Sequence, residues 1–152
     1  MKKVFFVFCI LVFSYVAASA QSVTGSIGKG SVERGKATRG SIVLSIPGGL
    51  HVNSSRPASE YAIATVVKVS GASGVRVTGL TYPKGKNRKF EFSESAINVY
   101  EGRVSFPFTV SVPAGYKGKT IRLNASVKYQ ACTNEVCYPP KTKSITLTAN
   151  VM

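Results

Sequence analysis

The stretch that decides the fold is RVSFPFTVSVPAGYKGKTIRLNASVKYQ, residues 103–130. Val104, Phe106, Phe108, Val110 and Val112 alternate with small or polar residues. After a turn-forming PAGYKGK the same period of two resumes at Ile121, Leu123, Ala125, Val127 and Tyr129. Strand side chains point alternately to opposite faces, so each run has one apolar and one wet face. That is the pattern of antiparallel strands packed on one side. Working outward, Ile42, Leu44 and Ile46 carry the pattern upstream, and Ile145, Leu147, Ala149 and Val151 carry it downstream. PGG at 47–49, SGASG at 70–74 and YPKGKN at 82–87 supply the turns between runs. The reading is all-β, with seven or eight antiparallel strands and no helix beyond a single turn at SESAIN, residues 93–98. Short strands separated by regular turn signals predict an immunoglobulin-like β-sandwich. The chain has no Trp, and its two downstream cysteines are too close for an inter-sheet bridge, which excludes the antibody-type version.

Residues 1–20, MKKVFFVFCILVFSYVAASA, read as a signal peptide: Lys2 and Lys3, then an apolar run from Val4 to Val16, then Ala18-Ser19-Ala20 before a cut after Ala20. The run is shorter than the ~20 residues a membrane span needs, and no later stretch approaches it. Cys9 lies within the run and leaves with it. The expected product is an exported, periplasmic protein with no span after cleavage, in which residues 21–39 form a lead-in or edge strand and 40–152 the sandwich. Loss of the two leader lysines lowers the formal net charge from +14 to +12. All six acids are Glu, and KGKNRK at 84–89 is the one dense basic cluster. An exported basic protein points to a solvated positive face or an acidic partner rather than to nucleic acid.

Two cysteines remain after export, Cys132 and Cys137, in the segment YQACTNEVCYPP. In an oxidising compartment such a pair forms one intramolecular disulfide. As a staple it does little: closing a ring of about six residues is worth roughly 2 kcal/mol, and a flanking hairpin already holds the ends together. A domain of this length also needs no such staple. A redox role asks instead for surface cysteines that a partner thiolate can reach. The polar TNEV loop suits this, while Tyr138, Pro139 and Pro140 stiffen the exit and leave a ladder edge open. A zinc site would need a fourth ligand beyond Cys132, Cys137 and His51, so no metal is expected. A Cys-His hydrolase is disfavoured because no group that would orient His51 is apparent.

The same segment resembles the signature of the amino-terminal periplasmic domain of the DsbD thiol:disulfide interchange protein family: Tyr-Gln-x-Cys, a few residues, then Cys-Tyr-Pro-Pro. PGGLHVNSSRP at 47–57, TYPKGK at 81–86 and INVYEGRVSFPFTV at 97–110 are similar to further parts of that domain in the same order. The resemblance implies an immunoglobulin-like sandwich with the cysteines on neighbouring strands at one end. It further implies that Cys137 forms the mixed disulfide with partners and that Cys132 resolves it. A cap loop over the pair would fall at Phe90, Glu91 and Phe92, with core packing as the other reading of the two aromatics. By the same alignment His51 and Asn53 share a face near the cysteines, and Tyr138 and Pro139 adjoin them; an ordinary structural role is the alternative for His51.

The implied function is periplasmic thiol-disulfide exchange, passing reducing equivalents between thioredoxin-like proteins as one component of protein-disulfide reductase activity, without a cofactor. In the family the acceptors include disulfide isomerases and cytochrome c maturation factors. The sequence stops at Met152, before the membrane and thioredoxin-like domains of full-length members. Separately encoded thioredoxin-like periplasmic proteins are therefore expected as donor and acceptor, with a membrane electron transporter as a further candidate; the domain itself is expected to be a monomer. The alternative is a non-catalytic exported immunoglobulin-like binding module with a structural disulfide.

Overall fold

The computed structural model describes residues 21–72 and 74–152; the expected leader, with Cys9, lies outside them. Three four-stranded sheets build the fold, and no helix occurs among the described residues. The first holds β1 (Ser22–Ile27), β3 (Ala37–Ser45), β9 (Arg103–Ser111) and β6 (Arg76–Thr78), in the order β1-β3-β9-β6. In the second, β2 (Ser31–Val32), β12 (Lys141–Val151), β10 (Thr120–Tyr129) and β5 (Val66–Gly71) follow one another as β2-β12-β10-β5. The third is made of short strands: β11 (Ala131–Cys132), β4 (His51–Asn53), β8 (Ile97–Tyr100) and β7 (Lys86–Arg88), ordered β11-β4-β8-β7. Every named pairing is antiparallel except β2 with β12.

Period two does what the sequence predicts in the long strands. In β9 and β10 every second residue is buried, and Ile42, Leu44, Phe106, Val110, Leu123 and Val127 are all fully or almost fully inaccessible. The registers Ile42↔Phe106 and Leu123↔Leu147 set these faces side by side within each sheet, and the two sheets share one apolar core. Gly40 lies opposite Phe108, where a Cβ would collide with the Phe108 ring; the glycine gives that ring its place in the core.

The described residues hold twelve strands, against the seven or eight read from the sequence. The excess comes from two- to four-residue strands such as β2, β4, β7 and β11, too short to display a period. The stretch 21–39 contains β1, paired only with β3 at the edge of the first sheet, the short β2 at the edge of the second, and the start of β3 itself. SESAIN holds bends and the beginning of β8.

The third sheet positions the site. β10 ends at Tyr129, the chain crosses at Gln130, and β11 then pairs with β4 rather than continuing in the second sheet. After the cysteine loop it returns as β12, whose first residue, Lys141, pairs with Tyr129. The cysteine segment is thus an excursion from the second sheet into the third.

Candidate functional site

The excursion is closed by the Cys132–Cys137 disulfide, with Sγ–Sγ 2.05 Å. The four residues between form a tight loop. The Thr133 amide donates to the Val136 carbonyl at 2.8 Å, and Thr133 Oγ1 accepts from the amides of Glu135 and Val136 at 3.2 and 3.1 Å. A threonine hydroxyl that satisfies its neighbours' backbone is a usual reason for such a turn. The Tyr138 amide donates to the Ala131 carbonyl at 2.8 Å, and Pro139 and Pro140 then have no amide hydrogens to extend the ladder.

The two sulfur-bearing residues are not equivalent. Cys132 is wholly buried, whereas Cys137 and residues 134–136 are exposed. The asymmetry follows from topology: Cys132 is flanked by His51 of β4 on one side and Cys137 on the other, while Cys137 has no further strand beyond it.

Beside Cys137 lies an open cleft of about 640 Å³, walled by Asn53, Gln130, Ile97, Tyr61, Phe92 and neighbouring residues of the 58–62 and 92–95 segments. Asn53 and Gln130 fix its floor. Asn53 Nδ2 donates to Gln130 Oε1 at 3.0 Å and to the Ile63 carbonyl at 3.2 Å, and Gln130 Oε1 also accepts from the Ile63 amide. Ala58, in the wall, has φ 61°, a left-handed conformation that costs a non-glycine residue energy and is held here by its surroundings. Tyr61 is 87% exposed and Phe92 42%, and Val136 and Tyr138, which flank Cys137 in the chain, are exposed as well. Large apolar side chains left in water around one cleft are a mark of an interaction surface.

An aromatic stack covers the strand next to Cys132. His51 and Phe90 lie face to face, centroids 4.1 Å apart and planes at 11°, and Phe92 continues the stack at 5.2 Å from Phe90. Phe90 is buried and forms a small second core with Ile97 and Val99, the core packing that was one of its two readings. Glu91, between the two phenylalanines, is exposed. A turn shapes the segment: the Ser93 amide donates to the Phe90 carbonyl at 3.2 Å, and Lys89 Nζ donates to the Glu94 carbonyl.

His51 is 3% exposed, and its Nε2 has no hydrogen-bond partner among the described residues. Burial holds its pKa below the ordinary histidine value; the Glu101 carboxylate acts in the opposite direction and Arg88 adds to the lowering. Glu101 itself pairs with Arg88 at 2.9 Å and with Lys86 at 3.6 Å, so the basic KGKNRK cluster is partly neutralised. Among the described residues no three His, Cys, Asp or Glu side chains gather as a metal site requires, and no helix is long and apolar enough to cross a membrane.

The structure brings together Cys137, Asn53 and Phe92 around the cleft, and Cys132, His51 and Phe90 behind it. Sequence reasoning missed the 58–62 wall with Tyr61, and Gln130. Tyr61 carries a weak signal, a large aromatic between Glu60 and Ala62 in a run without period; Gln130 stands in the Tyr-Gln-x-Cys signature but was not singled out as a site residue.

A β-sandwich that presents one exposed and one buried cysteine in a disulfide-closed loop, beside an open aromatic-walled cleft, has the make-up of a thiol-disulfide exchange domain. Residues 25–149 match the family described as thiol:disulfide interchange protein DsbD, N-terminal, and the chain belongs to that family. Among solved structures it is similar to the N-terminal periplasmic domain of ScsB from Proteus mirabilis, with TM-score 0.56 and 14% identity. That match covers 89% of this chain and 49% of the other, so the chain spans about half of its length, and at that identity the likeness is one of fold. No curated protein sequence matches the chain significantly.

Proposed function

We propose that the protein is a periplasmic thiol-disulfide relay, passing reducing equivalents between thioredoxin-like proteins through Cys132 and Cys137. The observation that carries the reading is the exposure asymmetry: one sulfur-bearing residue faces solvent beside an open cleft of mixed polar and aromatic lining, and the other is buried. In the reduced protein, the Cys137 thiolate attacks a partner disulfide. A Cys137–partner bond forms, the partner's own S–S bond breaks, and its leaving sulfur departs with the electron pair. Cys132 then attacks Cys137 Sγ, the internal disulfide closes, and the second partner sulfur leaves as a thiolate. Two electrons pass to the partner; run backwards, the same steps load the pair from a donor.

The cleft gives a partner's active-site loop a surface to rest on, and Phe92 with the 92–95 segment supplies the cover that yields on docking. There is no helix N-terminus at either cysteine to stabilise a thiolate, so pairing with a partner rather than an activated thiol limits indiscriminate reaction.

The test is a trap. A Cys132→Ala variant, reduced and mixed with the oxidised form of a periplasmic thioredoxin-like protein, is expected to accumulate a disulfide-linked complex through Cys137. Cys137→Ala is expected to form none. If neither variant captures the partner, or if only Cys132 does, the relay and its polarity are wrong, and the passive binding module becomes the better reading.

A further inference from the structure

We propose that His51 is the proton acceptor for the Cys132 thiol, the innermost part of a cross-strand row that runs behind the exposed Cys137. The inference rests on the exchange reading above and assigns a role to a side chain which that reading leaves idle.

The geometry comes from register. Cys132 is directly opposite Cys137 on one side and His51 on the other. Directly opposed residues of an antiparallel sheet project to the same face with Cβ atoms about 5 Å apart. The next step of the β4–β8 register, one past Val52↔Tyr100, leads from His51 to Glu101, whose carboxylate acts on the imidazole. Cys132 and His51 are therefore cross-strand neighbours in the third sheet, with the Glu101 carboxylate near enough to act on the imidazole.

His51 and Cys132 are both removed from water, and Nε2 is a buried polar atom without a partner among the described residues. Such an atom needs an explanation. The redox state supplies one: in the disulfide the Cys132 sulfur carries no proton to donate. Reduction creates an S–H group on the residue paired across the strands with His51, whose ring the flat stack on Phe90 holds in place. Burial keeps the ring neutral near pH 7, which is the form that accepts. The charged groups that act on it are Glu101, just past β8, and Arg88 from β7; Lys86 engages Glu101, and β11 and Phe90 contribute no charge.

The chemistry calls for such a group. Once reduced, Cys132 is a buried thiol with no cation or helix N-terminus beside it, so it gains from a neighbouring group that can take its proton as it attacks. With His51, the Cys132 proton passes to Nε2 as the sulfur attacks Cys137 Sγ. The Cys132–Cys137 bond forms, the Cys137–partner bond breaks, and the departing partner thiolate or solvent then takes the proton from the imidazolium.

5,5′-Dithiobis(2-nitrobenzoate) serves as the partner disulfide, because it reports both steps at 412 nm. Capture by Cys137 releases the first thionitrobenzoate and resolution by Cys132 the second. His51→Phe keeps a flat ring against Phe90 and removes both nitrogens. Its resolution-to-capture ratio at pH 7 is expected to fall about 10²-fold, the low end for loss of a general base. The wild-type second phase should be nearly flat with pH between about 6.5 and 8.5, whereas that of the variant should rise about tenfold per unit, as free thiolate does.

Since His51 is the one histidine in the sequence, its ring titration in the wild-type protein gives an independent readout by NMR. The curve is expected to couple to the Cys132 thiol in the reduced protein and to differ from that of the oxidised protein. An unchanged ratio and pH profile in the variant, or identical curves in the two redox states, overturns the assignment while leaving exchange intact. Absence of the first phase overturns the exchange reading instead, and the NMR comparison then decides His51 alone.

Discussion

Replacing Phe90 with alanine separates a side chain that merely covers the site from one that also holds it up. Phe90 is 7% exposed, stacked between His51 and Phe92, and the largest member of the second core. Burying a phenylalanine removes roughly 200 Å² from water, worth about 5 kcal/mol at 25 cal/mol per Å² as an upper bound. The alanine retains part of this, and a small cluster next to an open cleft can partly collapse. The expected loss is therefore about 3 kcal/mol, the low end for Phe→Ala in a core. In urea unfolding of the oxidised protein, with a slope near 1.5 kcal/mol/M, the midpoint should fall by about 2 M. Phe92→Ala, at 42% exposure, should cost less than half as much. Both variants should be reduced faster by dithiothreitol, since each opens the stack beside the cysteines. A Phe90→Ala loss below about 1 kcal/mol, with an unchanged reduction rate, would refute both roles.

Other expectations follow from single features. Reducing the disulfide should lower the stability of the wild-type protein by no more than about 2 kcal/mol in a denaturation experiment, and a loss of 4 or more would make the bond a staple after all. Gly40→Ala should destabilise by about 1–3 kcal/mol, because the added methyl displaces the Phe108 ring from a packed core. The pH dependence of stability should show two separable limbs. The His51 pKa is lowered in the fold, chiefly by burial, so its contribution is complete above about 6.5 and is lost as the pH falls toward the folded value; His51→Phe should remove this limb. For Glu101, burial acts to raise the carboxyl pKa, but Arg88 and Lys86 outweigh it and the net shift is downward. Its contribution is present above about 4.3, is lost as the pH falls through the folded value, and should be missing in Glu101→Gln, which costs at most about 1 kcal/mol at neutral pH.

The long strands were legible because one face of each is buried and the other wet. Phe106, Phe108 and Val110 announce β9, and Ile121 through Tyr129 announce β10, with no help from any other part of the chain. β4 was legible only through the family resemblance of PGGLHVNSSRP and not from period, because it lies inside the third sheet, where His51, Val52 and Asn53 are buried in succession and alternation disappears. β7 fails for the opposite reason: Lys86, Asn87 and Arg88 are all exposed. The cysteine pair and its family signature stood out as chemistry, yet nothing in YQACTNEVCYPP says which cysteine is inside. That difference arises from the switch of sheets at Gln130, which gives Cys132 a neighbour on both sides and leaves Cys137 at the margin. The wall from Ala58 to Ala62 was equally hidden, since a loop that returns to line a cleft has neither period nor motif. Its place depends on contacts such as the Thr65 amide to the Ser54 carbonyl at 3.0 Å and the Asn98 amide to the Pro57 carbonyl at 2.9 Å.

Whether Cys132–Cys137 is a switch rather than a clip is tested most directly by its reduction potential, measured by equilibration of the wild-type protein with thiol-disulfide buffers of known poise. A relay bond should fall between about −270 and −180 mV, the range of thioredoxin-like and disulfide-isomerase partners with which it must exchange. A value below about −300 mV, where structural disulfides of exported proteins lie, would contradict the relay.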